Sequence, residues 1–317
     1  MKKFIIYSIS AAIILVLAIF MNSCNTMGIN STDETPTSGN IKIGVDESFQ
    51  LLLDTEIYTF EALYKYGHIK PFYKPENDIL SYFMNDSVRL IVTTRKLTKD
   101  EESYLNNNYR IFPRTTKIAY DAIAFIVNKN NPDTLIRYNT IKKIFSGEVD
   151  NWKKINPKSR YYELKVVFDN NQSGNVRYFK EKFDIKKEFP SYCYSANNNE
   201  GVINYVENHA NTLGIISVNW ISDKHDSLTR KFLKRVNVVA ISSEFDSEGE
   251  DFYRPYQGYI ADKSYPFIRE VYIISRETFS GLGSGFTAFV AGDQGQRIIL
   301  KSGLVPATMP IRLIQLK

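Results

Sequence analysis

The chain has 317 residues with 40 Lys and Arg against 35 Asp and Glu, a formal charge of +5. Lys2 and Lys3 supply two of those charges ahead of Cys24, which leaves +3 on the remainder, too weak a basic balance for a nucleic-acid surface. Two cysteines and three widely spaced histidines (His68, His209, His225) provide neither a disulfide framework nor a zinc cluster, so no metal and no cofactor is expected.

Lys2 and Lys3 precede an apolar run from Phe4 to Met21 that ends in Asn22-Ser23-Cys24, the form of an export signal over residues 1–23. The run is also near the roughly 20 apolar residues that span a bilayer, so an uncleaved anchor is the alternative. A Cys preceded by Ser and followed at once by a polar stretch favours cleavage and lipidation at Cys24, although Met21 and Asn22 depart from the common pattern. Residues 24–40 have the Asn, Ser, Thr, Pro and Gly content of a flexible tether. With Cys24 lipidated, Cys193 has no partner and reads as a small buried hydrophobe. The folded part is expected from about Ile41, and residues 41–317 suffice for two lobes.

Short β-rich runs alternate with helical patterns, which predicts an α/β fold with mostly parallel sheets. Ile41 to Val45 reads as a strand, followed by a helix carrying Phe49, Leu52, Leu53, Ile57, Phe60 and Leu63 at spacings of three and four. A short helix with Ile79, Leu80, Tyr82 and Phe83 follows Asp78, and Val88 to Thr93 reads as the next strand. The apolar segment 117–128 is long for one buried strand and reads as a crossing between lobes. Then come a helix from about Thr140 to Phe145, a strand over 164–168, a helix over 173–183, a strand at Gly214-Ile215-Ile216 and a strand over 236–241. The chain is expected to cross back near 256–260 and to end with a helix over about 286–300. These crossings give lobe 1 as 41–120 plus 256–317 and lobe 2 as 121–255. Gly283-Ser284-Gly285 sits in a Gly-rich linker and not in the strand-to-helix elbow that a Ser hydrolase needs.

The phrase from Ile118 to Asn128, followed by Asn131-Pro132, resembles the phosphate-binding proteins of ABC import systems. Six further stretches agree with that family in order: Ile141 to Gly147 leading to Asn151-Trp152, Ser173-Gly174, Gly214-Ile215-Ile216, Tyr265 to Arg269, Phe289-Val290 with Gly295-Gln296, and Gly303 to Pro306. The resemblance implies a type II periplasmic-binding-protein fold of two α/β lobes, each a mostly parallel sheet flanked by helices, joined by two crossover segments around a cleft. It implies a monomer that hands phosphate or a similar oxyanion to an inner-membrane ABC permease, without catalysis. The lipid would hold it in the bacterial cell envelope, facing the periplasm or the cell surface.

An anion held without a metal is best met by backbone N–H groups at a helix N-terminus and by hydroxyl donors. Ser173, Gly174 and Asn175 have that form: Ser173 caps, and Gly174 lets a ligand approach the backbone. The resemblance adds Ser48 and Phe49 after the first strand and Thr94 after a later one. Arg95 and Arg177 are candidate anion partners, since guanidinium forks suit phosphate oxygens. Each of these residues also has an ordinary reading, as a cap, a turn or a surface ion pair. Three departures stand out: Asp169 replaces the family's Arg four residues before the Ser, Thr94 stands near its proton-accepting Asp, and Glu76-Asn77-Asp78 replaces its Gly-Ser-Gly loop. They motivate an alternative, a sensor or interaction lipoprotein that has lost phosphate. An enzyme is not expected, because no nucleophile or acid–base pair emerges from the spacing.

Overall fold

The computed structural model describes residues 34–223, 226–246 and 251–309. Cys24, the leader and most of the tether lie outside them. Thirteen strands are present among the described residues: β1 Ser38–Asp46, β2 Tyr66–Lys74, β3 Leu90–Thr93, β4 Arg114–Asn128, β5 Leu135–Ile136, β6 Lys165–Phe168, β7 Cys193–Ser195, β8 Thr212–Ser217, β9 Val236–Val238, β10 Ala240–Ser242, β11 Phe252–Tyr253, β12 Ile268–Ser275 and β13 Val305–Pro306. The main sheet runs β2-β1-β3-β12-β4-β8-β6-β7, with β13 and β9 also paired to β4. A separate small sheet has the order β11-β10-β5.

The outer pairs, β1 with β2 and β3 and β6 with β7 and β8, are parallel. The centre is antiparallel, since β12 pairs with both β3 and β4 and β4 pairs with β8. The expected mostly parallel sheets are therefore the flanks of one mixed sheet. β4 joins them. Its residues Arg114 to Ala122 pair with β12, whereas Ile123 to Val127 pair with β8. From Asp121 onward every residue of β4 is buried, the pattern of a central strand covered on both faces.

Four expectations need correction. Folded structure starts before Ile41: β1 opens at Ser38, and Thr35 forms a bridge to Ser38. The segment 236–241 is two strands, because at Val239 the backbone N–H bonds to the Phe125 carbonyl and the chain leaves β4 for the small sheet. The helix expected over 286–300 is two, Leu282–Ala291 and Asp293–Lys301, broken where Gly292 adopts an extended ψ of 177°. The glycines of 281–285 do not form a linker. Gly281 caps the first of these helices, and the Glu277 carboxylate accepts from the Gly283 and Ser284 N–H groups at its start.

Gly285 shows why that helix needs small residues: a Cβ there would lie 1.8 Å from the Pro36 carbonyl oxygen. Gly285→Ala must push Pro36 off the helix, an overpacking cost of about 1–3 kcal/mol. A urea midpoint unchanged from the parent protein would contradict this close approach.

Candidate functional site

The helix Gly174–Lys182 follows β6 and is fixed by its apolar face. Phe179 is fully buried, its ring centroid 4.6 Å from Phe145, 5.4 Å from Phe267 and 5.7 Å from Phe125. Burying a ring of this size contributes on the order of 2–3 kcal/mol. This core contact sets the direction in which the helix N-terminus points. Ser173 caps it as expected: its Oγ accepts from the Val176 N–H at 3.3 Å and donates to Asp169 Oδ1 at 2.7 Å.

The N-terminus faces β1, β3 and the turns that follow them. A Cβ on Gly174 would stand 2.8 Å from Thr94 Oγ1, 3.0 Å from Asp46 Oδ2 and 3.1 Å from Glu76 Oε1. A side chain there would force Thr94 Oγ1 and its neighbours to shift, so Gly174 permits this close approach. Ser48 and Phe49 lie in the turn that follows Asp46 and are buried. The Ser48 N–H donates to Asp46 Oδ1 at 2.9 Å and its carbonyl accepts from Asn219 Nδ2 at 3.1 Å. Ser48 Oγ and Asp46 Oδ2 are buried without a hydrogen-bond partner. Phe49 is core, with the Arg269 guanidinium 5.5 Å from its ring centroid.

Glu76 lies at the middle of the junction. Its Oε1 accepts from Thr93 Oγ1 (2.8 Å), Thr94 N–H (2.9 Å) and Thr94 Oγ1 (2.6 Å), and Arg177 Nε donates to its Oε2 at 2.5 Å. Arg177 Nη2 also donates to Thr94 Oγ1 at 2.8 Å, and its Nη1 pairs with Glu181. Burial works to raise the Glu76 carboxyl, but Arg177 and the Thr94 bonds outweigh it and hold it at about 2. Beside it, the Asn77 N–H donates to the Gln172 carbonyl at 3.2 Å. An open recess of about 530 Å³, with Ser173, Arg177, Lys180 and Lys186 on its wall, adjoins the junction.

Asp169 and Asn175 form the floor. Asn175 Nδ2 donates to Asp169 Oδ2 at 2.9 Å, and Arg269 Nη1 donates to Asn175 Oδ1 at 2.8 Å. Arg269 also meets Asp121 through Nε and Nη2, both at 2.8 Å. Asn199 donates from its N–H to Glu47 Oε1 at 2.9 Å, and from its amide to the same oxygen. Burial, then the neighbouring Glu76, pushes Asp46 up from 3.8 to about 7. Burial pushes Glu47 up from 4.5 to about 7.

Thus Ser48, Phe49, Thr94, Ser173, Gly174, Asn175 and Arg177 converge. Arg95 does not join them: its guanidinium forks onto Glu101, with two bonds of 2.7 Å, and Glu101 is itself held in the capping box of the helix Lys99–Tyr109. That is the surface-pair reading of Arg95, with a fixed acidic partner close in sequence. Residues not singled out as ligands from the sequence are Asp46, Glu47, Glu76, Asp121, Asn199 and Arg269. Asp46 follows an apolar strand and Glu76 occupies the place of an expected small-residue loop, which are the signals that could have found them.

The chain matches the PBP superfamily domain over residues 30–294 and belongs to that family. It is 30% identical over 207 residues to the phosphate-binding protein PstS of Staphylococcus saprophyticus, an alignment covering 62% of this chain and 59% of that relative. The chain thus spans less than two thirds of the curated relatives it matches. Its fold is similar to a Clostridium perfringens protein with bound phosphate, assigned as a phosphate ABC transporter substrate-binding protein (TM-score 0.70, 20% identity, covering 85% of this chain and 100% of that one). It is also similar to an ABC-type phosphate transport receptor from Vibrio cholerae (TM-score 0.63, 18% identity, covering 84% and 100%). These relatives are named for binding and transport, not for a reaction. Among the described residues no helix is long and apolar enough to cross a membrane.

Proposed function

We propose that the chain is the substrate-binding protein of an ABC-type import system, anchored in the bacterial envelope by lipid on Cys24 and handing phosphate or a similar oxyanion to an inner-membrane permease. In this reading residues 41–120 with 256–317 form one lobe and 121–255 the other, with β4 as one crossing. Ser48, Phe49 and Thr94 on one side and Ser173, Gly174, Asn175 and Arg177 on the other would meet the ligand, and the lobes would close by hinge motion. The observation that carries the reading is the convergence of a capped helix N-terminus, hydroxyl groups and Arg177 at one junction, from segments far apart in the chain. Helix N-termini and guanidinium groups are the natural partners of an oxyanion.

Calorimetric titration of the chain lacking residues 1–24, stripped of ligand by unfolding and refolding, tests this. Micromolar or tighter binding of phosphate or sulfate, weakened about tenfold or more by Ser173→Ala, is the expected result, a loss of roughly 1.4 kcal/mol or more. Absence of heat with both anions, from protein shown to be folded, would sink it.

One observation favours a second reading, a sensor or interaction lipoprotein that has lost phosphate. Five carboxylates, on Asp46, Glu47, Glu76, Asp121 and Asp169, meet two guanidiniums at the junction. Ionised carboxylates repel a dianion. The same titration separates the two.

A further inference from the structure

We infer that Glu76 is a built-in ligand: its carboxylate occupies the anion position of the cleft, holds the two sides of the junction together without solute, and sets how strongly an external oxyanion can bind. The inference rests on the reading of this junction as the solute site and adds the residue that regulates it.

A free oxyanion in such a cleft would need hydroxyl and amide donors on one side and a guanidinium with a helix N-terminus on the other. Glu76 already takes the hydroxyl, amide and guanidinium donors and lies beside the helix start. Thr93 Oγ1, Thr94 N–H and Thr94 Oγ1 converge on its Oε1, while Arg177 forks onto both oxygens, Nε at 2.5 Å and Nη2 at 3.4 Å. Its Oε1 lies 3.1 Å from the point where a Gly174 Cβ would stand, so the carboxylate presses against the opening turn of the helix that Ser173 caps. The side chain is fully buried and its partners come from separate parts of the chain, 17 to 18 residues away on the threonine side and 101 on the arginine side. An exposed ion pair contributes little, but a buried carboxylate with three threonine donors and a forked arginine is held firmly.

Any external oxyanion must displace this carboxylate from Thr93, Thr94 and Arg177 while Glu76 remains tethered beside them. Its apparent affinity is lowered by the fraction of molecules in which Glu76 has vacated the position. Shortening Glu76 leaves the same donors without their acceptor, arranged for a small anion.

Glu76→Ala and Glu76→Gln in the full detergent-solubilised chain, titrated with phosphate beside the parent protein, test the inference. Melting curves in sodium acetate against sodium chloride of equal ionic strength form the second arm. Both variants should bind phosphate at least tenfold more tightly than the parent, and acetate should raise the melting temperature of Glu76→Ala while leaving the parent unchanged. If Glu76→Ala fails to fold, Glu76→Gln keeps the shape, removes the negative charge that faces Arg177, and must still show the affinity gain. Phosphate binding by the parent with no gain in either folded variant overturns the role of Glu76 and leaves the solute-site reading intact. Acetate rescue without phosphate binding by any form supports Glu76 as the internal anion and overturns phosphate as the solute. Neither gain nor rescue overturns the inference.

Discussion

Arg269→Met is expected to remove about 3–5 kcal/mol of stability, because it strips a buried carboxylate of its counter-charge. Arg269 Nε and Nη2 each lie 2.8 Å from Asp121 Oδ2 inside the sheet, where β12 and β4 pair. Burial pushes the Asp121 carboxyl up and Arg269 pulls against it. Without the guanidinium, Asp121 keeps Ser217 Oγ, at 3.2 and 3.1 Å from the two oxygens, and the Ala122 N–H, but no counter-charge. A chain of this size should lose about 10 °C in melting temperature, at the usual 2–4 °C per kcal/mol. Arg269→Met combined with Asp121→Leu should recover most of the loss, since a buried pair contributes little over apolar residues of similar volume. If the single variant melts within a degree or two of the parent, the pair is not the buried, desolvated contact described here. The single variant should also weaken anion binding, because Asn175 Oδ1 loses the donor that orients it.

Glu56→Met should stabilise the protein, and more strongly at pH 8 than at pH 5. Glu56 is fully buried in the helix Gln50–Leu63, and neither carboxyl oxygen has a hydrogen-bond partner. Burial pushes its carboxyl up from 4.5 to about 9. A carboxyl with a raised folded value keeps its proton in the native state while the unfolded chain has released it. The stability it allows is therefore complete below about pH 4.5 and is lost as pH rises towards 9. Methionine has no such dependence. The advantage of Glu56→Met should widen between pH 5 and pH 8 by up to about 1.4 kcal/mol per pH unit. At pH 5 a gain of roughly 1–3 kcal/mol remains, from removing an unsatisfied buried polar group. Chemical denaturation of both proteins across that range would read the difference, and a constant gap would mean that Glu56 is ionised or solvated in the folded state. Glu76 acts in the opposite sense: held at about 2, it contributes stability that is lost as pH falls below about 4.5.

Features fixed by contacts a few residues apart were legible in the sequence. The cap at Ser173 is one, since its Oγ bonds to a backbone group three positions on. The helix through Leu52 to Phe60 and the buried run of β4 were legible for the same reason: periodicity and unbroken apolar composition are local. β2 was not recognised: Pro71 lies within it, and its apolar residues do not alternate consistently, since Tyr66 and Phe72 are exposed while Ile69 is buried. Nor was the glycine-rich start of the helix Leu282–Ala291, where Gly285 is dictated by Pro36, far earlier in the chain, and Gly283 by Ile41 and Glu277.

The sequence by itself determined the class of fold and the residue types of the junction, through alternating strand and helix patterns and the resemblance of short phrases in a fixed order. Only the tertiary structure decided their partners. Arg177 is paired with Glu76 and Glu181, Arg95 is taken by Glu101, and Asp169 accepts from Ser173 and Asn175. Charge sign is written in the sequence, but a carboxylate 101 residues from an arginine becomes its counter-ion only when sheet order and helix packing bring the two within 2.5 Å. Such long-range pairing follows from the burial of Phe179 and its neighbours, which no local pattern records.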